Sequence, residues 1–133
     1  SWGASRLYLK VFGLGLNEWR VLSALTNEPG IMANRITEMV ALNKSVVSRS
    51  VKSLEAAGLL RTQSAEGRRL LFLTDTGSAM HDRIIQVAML REEALLDDFS
   101  EEERMQLCGF LRRMKGNLSR VDETDRKVLA GRR

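Results

Sequence analysis

Residues 33–58 read ANRITEMVALNKSVVSRSVKSLEAAG, two amphipathic segments with very little chain between them. Apolar residues recur at helical spacing in the first segment, which predicts a helix over residues 33–41. The second segment predicts a helix over residues 44–57, with Asn43 as its N-cap and Gly58 as its C-terminal stop. Two short helices joined so tightly have the pattern of a helix-turn-helix motif.

A β-hairpin is predicted directly after this motif. Residues 59–63, LLRTQ, and residues 69–73, RLLFL, are typical of short strands, and residues 64–67, SAEG, are typical of the turn between them. Helix, tight turn, helix and hairpin is the order of elements in a winged helix-turn-helix domain.

Helices are also predicted before the motif. One covers residues 6–12 and ends at Gly13 and Gly15. Asn17 is a candidate N-cap for the next helix, which stops at the turn formed by residues 27–30.

Two further helices are predicted after the hairpin. Thr74 caps a long helix that reaches about Leu96, and Ser100 with Glu103 forms a capping box that opens one last helix. The basic tail over residues 126–133 is expected to be frayed.

The predicted fold class is mainly α with a small β-hairpin, in a single domain of 133 residues. We expect residues 14–74 to form a winged helix-turn-helix lobe, and residues 1–13 and 75–125 to supply helices for dimerisation. The terminal helices have apolar faces that a monomer cannot cover completely, so the expected state is a homodimer.

The second helix of the motif has two different faces. Apolar residues at core spacing form one of them: Val47, Val51 and Leu54. Cations and small hydroxyl residues form the other: Lys44, Ser45, Ser48, Arg49 and Lys52. A helix fits the major groove of B-DNA, where long cations reach phosphates or guanine edges and serine hydroxyls permit close approach. The second face is therefore predicted to contact double-stranded DNA.

Arg68 and Arg69 lie at or just past the predicted hairpin tip. An arginine there can enter the minor groove, whose negative potential attracts it. The charge distribution agrees, because residues 32–73 carry seven Lys and Arg against three Glu, whereas residues 74–125 carry seven Lys and Arg against twelve acidic residues.

Composition argues against several other classes of protein. One Cys, Cys108, and one His, His81, are too few for an intrachain disulfide, a zinc site of three or four ligands or an evident nucleophile–base pair. No apolar run approaches the ~20 residues that span a bilayer, and no secretory signal is visible. We expect a cytoplasmic protein without membrane contact, cofactor, metal or enzymatic activity. We also expect Cys108 to be buried as a small hydrophobe, and His81 to lie at the surface or in a hydrogen bond.

Several short stretches together resemble the MarR family of bacterial transcription regulators. They are LNEWRVL at 16–22, ITEMVAL at 36–42, NKSVVSR at 43–49, LEAAGLLR at 54–61, GRR at 67–69 and LTDTG at 73–77. The resemblance implies an obligate dimer built from the first and last helices, a wing on each side, and binding to a palindromic operator. It also implies a repressor that a ligand or oxidation releases. Val46 stands where the family usually has Thr, which removes one hydroxyl from the predicted DNA face.

Four residues are candidates for binding a small effector between the dimer base and the DNA-binding lobe: Tyr8, Phe12, Trp19 and Arg20. An arginine beside aromatic rings suits an aromatic or anionic molecule. Trp19 also fits a plain core position, so packing is the competing interpretation.

The alternative function for the whole chain is a winged helix used only for protein contacts. Such domains lose the cations of the recognition helix, whereas Lys44, Arg49, Lys52 and Arg68 are present here. The cations therefore favour DNA binding.

Overall fold

The computed structural model describes residues 2–132, with side chains from residue 6 onward. Its helices are Trp2–Phe12 (α1), Leu16–Asn27 (α2), Ala33–Val40 (α3), Lys44–Ala56 (α4), Asp75–Leu95 (α5), Glu101–Gly116 (α6) and Leu118–Ala130 (α7). The strands Leu60–Ala65 (β1) and Arg68–Leu73 (β2) pair antiparallel in a two-stranded sheet. The predicted class, mainly α with a β-hairpin, is confirmed.

The helix-turn-helix motif consists of α3 and α4. Ala41 adopts a left-handed conformation with φ 53°, which turns the chain sharply after α3. Asn43 caps α4 as predicted, since its Oδ1 accepts a hydrogen bond of 2.9 Å from the Val46 backbone N–H. Gly58, with φ 74°, ends the segment in a conformation that favours glycine.

The predicted N-cap of α2 is wrong by two positions. Gly15, not Asn17, occupies the cap position, and Asn17 lies inside the first turn of the helix. Gly15 has no Cβ, and a Cβ there would lie only 2.6 Å from Glu18 Oε2. The carboxylate of Glu18 therefore folds back over the start of α2, where a negative charge is favourable.

Each strand of the wing is one residue longer than predicted and the turn is shorter, because β1 continues to Ala65, which pairs with Arg68. Only Glu66 and Gly67 form the turn, and their φ angles are 52° and 74°. Positive φ at both central residues defines a type I′ turn, whose twist matches that of paired strands. Arg68 and Arg69 follow this turn directly.

The wing is joined to the loop between α2 and α3. Leu71 N–H donates to the Ile31 carbonyl and Gly30 N–H donates to the Leu71 carbonyl, each over 2.9 Å. These bonds add a short bridge to the outer edge of β2. The hairpin is therefore fixed to the helical lobe by its backbone as well as by side chains.

The contacts of the chain divide it into two compact units between Leu90 and Arg91. The core of the first unit is made of aliphatic side chains from α2, α3, α4, the wing and α5. Its most deeply buried members are Val21, Leu22, Leu25, Ile36, Val47, Leu54, Leu60 and Ile84.

The second unit contains α6 and α7, where one last helix was expected. Ser100 and Glu103 form the predicted capping box. The helix then ends at Gly116, and α7 begins after Asn117. Glycine and asparagine are poor helix formers, which accounts for the break. The expectation of a frayed tail is wrong for the described residues, because α7 continues to Ala130.

Candidate nucleic-acid interface

Helix α4 turns one face into the core and the opposite face to solvent. Val47, Val51 and Leu54 are 1%, 7% and 0% exposed, as their spacing predicted. All five residues of the predicted contact face are exposed: Lys44, Ser45, Ser48, Arg49 and Lys52. At about 100° per residue, Ser45, Arg49 and Lys52 lie almost opposite the core.

The cations on this face have no partner inside the protein. Lys44, Arg49 and Lys52 make no ion pair with any of residues 6–132, whereas Arg35 on α3 bonds Glu28 over 2.9 Å and Glu38 over 3.3 Å. The hydrogen bond that Glu28 accepts from Arg35 lowers the pKa of the Glu28 carboxyl group. The charge of Arg35 is thus balanced within the fold, and the uncompensated positive charge of the motif lies on α4.

The two serines differ in their hydrogen bonds. The Ser45 hydroxyl donates to Asn43 Oδ1 over 2.8 Å and so reinforces the cap of α4. Its oxygen remains available as an acceptor. Ser48 has no hydrogen-bond partner among the described side chains, so its hydroxyl can both donate and accept.

A cleft of about 350 Å³ lies between the start of α3, helix α4 and strand β2. Ser48, Lys52 and Arg69 line it together with Asn34 and an apolar floor that includes Leu71. Met32, which precedes α3, provides no side-chain cap, and the first two backbone N–H groups of that helix point out of its N-terminus. Cations, a hydroxyl and free N–H groups around one cleft suit a phosphate.

The structure separates the two wing arginines. Neighbouring residues of a strand point to opposite faces, so Arg69 shares the face of buried Leu71 and Arg68 lies on the other. Arg69 is thus brought next to Lys52, while Arg68 projects from the tip without an ion-pair partner in the described chain.

Val46 is a member of the α4 surface that the sequence did not single out as a contact. It lines another depression with Arg49 and Ser53 of α4 and with Asn17 and Glu18 of α2. Its place in the amphipathic pattern could have revealed it, because it is an apolar residue on the polar side of the helix.

The effector candidates fall into two groups. Tyr8, Phe12 and Trp19 form an aromatic cluster, with ring centroids 6.2 Å apart for Tyr8–Phe12 and 6.4 Å apart for Tyr8–Trp19. Tyr8 is only 9% exposed, so it is part of the core. Trp19 and Arg20 line a different groove, formed with Met39 and Val40 of α3 and other residues of α2.

The prediction that Cys108 is buried is wrong, whereas His81 lies partly at the surface. His81 is partly exposed, and its ring stacks on Trp19 with ring centroids 4.9 Å apart. Burial lowers its pKa, against the opposing effect of Asp82. Cys108 is exposed on α6 because that helix has no buried residue in the single chain.

Membrane-spanning helices and metal-binding clusters are both absent among the described residues. None of their helices is long and apolar enough to cross a membrane. None of their His, Cys, Asp and Glu side chains form a group of three that could hold a metal ion.

Comparison with known proteins gives consistent matches. Residues 12–70 match a sequence model described as the MarR family. The HTH-type transcriptional regulator PecS of Dickeya dadantii (strain 3937) is 31% identical over 118 residues, which are 82% of this chain and 71% of PecS.

Solved structures show the same fold. A MarR/EmrR family transcriptional regulator from Acinetobacter sp. ADP1 has a TM-score of 0.72 and 28% identity, over 90% of this chain and 86% of that one. The PcaV transcriptional regulator from Streptomyces coelicolor, solved in complex with its natural ligand, has a TM-score of 0.67 and 27% identity, over 86% and 85% of the two chains.

The helix-turn-helix with its wing, the exposed cations of α4 and these matches agree with one another. Proteins of this family regulate transcription and are not enzymes. The chain therefore belongs to the MarR family and is a DNA-binding transcription regulator.

Proposed function

We propose that the protein binds a palindromic operator as a homodimer and represses transcription until a small effector releases it. The observation that supports this most strongly is the exposed face of α4, whose three cations have no partner in the described chain. A surface of uncompensated cations attracts the phosphates of a duplex and releases their counterions on binding.

The residues of α4 divide between bases and backbone. Residues in the first turns of a recognition helix lie closest to base edges. Ser45 and Arg49 therefore face the bases, with Arg49 bidentate to a guanine. Lys44 and Lys52, at the two ends of the surface, contact phosphates, and Ser48 donates to the same strand as Lys52.

The wing contributes two contacts of different kinds. Arg69 and Lys52 line one cleft and clamp a phosphate between β2 and α4. Arg68, on the other face of the hairpin tip, enters the minor groove, where the potential is most negative. This division assigns sequence preference to Arg49 and Arg68, and affinity to Lys52 and Arg69.

Dimerisation follows from apolar surface that one chain leaves uncovered. Leu95 is 77% exposed and Met105 is 72% exposed, and other large apolar side chains of α6 and α7 are also exposed. A second copy is the natural cover for such faces, since most soluble oligomers are symmetric dimers. Residues 14–74 then act as the DNA-binding lobe, and residues 1–13 and 75–125 as the dimerisation region. In the dimer, the two α4 helices would lie about 34 Å apart, in successive major grooves.

The effector we propose is a small aromatic or anionic molecule. PcaV was solved with its natural ligand, which shows that a relative binds one. Trp19 and Arg20 offer a ring and an exposed guanidinium beside a groove on α2 and α3. Tyr8 and Phe12 would act indirectly, by holding Trp19 in place. Because its target is the bacterial chromosome, we place the protein in the cytoplasm.

Arg49→Ala tests the proposed interface. We first select bound sequences from a random DNA pool, which also gives the half-site spacing, and then measure affinity for the selected operator. If Arg49 contacts a base, its loss should weaken operator binding by about 1–3 kcal/mol and relax preference at one position of each half-site. Lys52→Ala should instead weaken binding to all sequences and reduce the salt slope by about 1.

Arg91→Ala is the matched control, since it removes the same charge from an exposed position of α5 far along the chain from the motif. It should leave affinity unchanged. Failure of the wild-type protein to bind any duplex at low salt would favour the alternative, a winged helix that contacts only proteins.

A further inference from the structure

Val46 is an apolar residue of α4 that is not part of the hydrophobic core. Val47, Val51 and Leu54 are buried, whereas Val46 is only partly buried and packs against none of the core cluster. It lies on the polar side of the helix, among the residues proposed to meet DNA.

The surroundings of Val46 leave its methyl groups accessible beside Arg49. Both residues line the same depression between α2 and α4. Glu18, the acidic residue of that depression, is turned back toward Gly15, and Arg49 makes no ion pair with any of residues 6–132. The pair is therefore an apolar group next to an uncompensated guanidinium.

Helix geometry sets the spacing between the bases that Val46 and Arg49 can contact. Val46 lies in the first turn of α4, fixed by the hydrogen bond of its N–H to Asn43 Oδ1. Residues three apart are neighbours on a helix surface and differ by about 4.5 Å along the axis. Bases of one strand are spaced by about 3.4 Å, so Val46 and Arg49 reach the same base pair or adjacent ones.

We propose that Val46 reads a thymine through its C5-methyl group, next to the guanine contacted by Arg49. Thymine is the one base that offers an apolar group in the major groove of unmodified DNA. A valine cannot satisfy the amino or carbonyl groups that the other bases offer at this depth, so it disfavours them. This inference rests on the proposed function, and it makes Val46 a residue that determines specificity.

Deoxyuridine provides the test, because it differs from thymidine only by the missing C5-methyl. In the selected operator, each thymine of the half-site is replaced in turn by deoxyuridine, and affinity is measured for the wild type and for Val46→Ala. The wild type should lose about fourfold in affinity at one thymine, the value of one buried methyl-sized group. Val46→Ala should bind the two operators equally at that position while keeping its response at the others.

The variant should fold, since alanine favours helices and position 46 is outside the core. Circular dichroism checks that the variant is folded. Val46→Ser also lacks the methyl groups of valine and should respond to deoxyuridine as Val46→Ala does. Equal effects of deoxyuridine on the wild type and Val46→Ala at every thymine would overturn the inference and leave DNA binding intact. Absence of any binding by the wild type would overturn the proposed function as well.

Discussion

Arg35 on α3 and Arg49 on α4 belong to the same helix-turn-helix motif, and they differ in whether acidic side chains lie in contact with them. Arg35 donates to Glu28 and Glu38, which raises its pKa further and balances its charge. Arg49 has no such acid in contact, although Glu18 lines the same depression. At the scale of single residues, an arginine is available to phosphates or bases where the fold leaves it without a carboxylate.

His81 should make the stability of the first unit depend on pH. Its ring stacks on Trp19, and burial lowers its pKa below the ordinary value. The unfolded chain therefore takes up the proton more readily than the folded one, and folding stability falls as the pH drops through about 6.5.

We expect the melting temperature of the wild type to decrease on acidification from pH 7.5 to about 5.5 by more than that of His81→Phe. Phenylalanine keeps a flat ring against Trp19 and cannot be protonated. Thermal unfolding followed by circular dichroism at several pH values measures both proteins. Identical pH dependence of the two would remove His81 as the cause.

At the scale of elements, the decisive contact joins the end of α4 to the start of α5. The Thr74 hydroxyl donates to the Gly58 carbonyl over 2.6 Å and accepts from Gly77 N–H over 3.0 Å. Thr74 N–H also donates to the Leu59 carbonyl. One residue thus caps α5, as predicted, and ties it to the recognition helix.

Gly77→Ala should break this joint. A Cβ at Gly77 would overlap the Leu59 carbonyl oxygen, a backbone atom that cannot rotate away. We expect the free energy of unfolding to fall by about 1–3 kcal/mol, the usual cost of overpacking. Chemical denaturation followed by circular dichroism measures the change.

Gly109→Ala is the control for helix propensity, because nothing lies within 4 Å of a Cβ built at that position of α6. This variant should be stabilised by up to about 1 kcal/mol. Equal stability of Gly77→Ala and the wild type would mean that α5 can move away from α4 without loss.

Local signals were sufficient to predict the motif and its wing. Asn43 marks the start of α4 through its side chain, and Gly58 marks the end through its backbone conformation. Both residues could be identified from the sequence. Asn17 failed because its neighbour Gly15, with Glu18 folded over it, begins α2 earlier. Such competition between adjacent capping residues depends on where the following side chains point.

Contacts between distant segments were beyond prediction from sequence pattern. Lys52 of α4 and Arg69 of β2 line one cleft, and β2 is also bridged to Ile31 in the loop before α3. The stacking of His81 on Trp19 joins α5 to α2. Sequence periodicity predicts which face of each element is apolar, but it does not predict which two faces meet.

At the scale of the whole molecule, α6 and α7 have apolar side chains and yet no buried residue in the described chain. Phe110, Leu111 and Met114 recur at helical spacing on α6 and are 56%, 54% and 66% exposed. An apolar stripe of this kind is stable in water when another surface covers it. A second copy of the chain is the cover that the proposed function requires.

We therefore expect a particle of twice the 15.0 kDa chain mass in light scattering at micromolar concentration. Leu111→Glu places a charge in the stripe and should shift the particle toward the monomer. Operator affinity should fall with it, because a monomer contacts only one half-site. Arg112→Gln lowers the net charge by the same one unit at an exposed position on the opposite face of α6 and should leave the mass unchanged. A monomeric wild type would contradict the proposed dimer, whereas loss of the dimer in both variants would point to charge on α6 as a whole instead of the stripe.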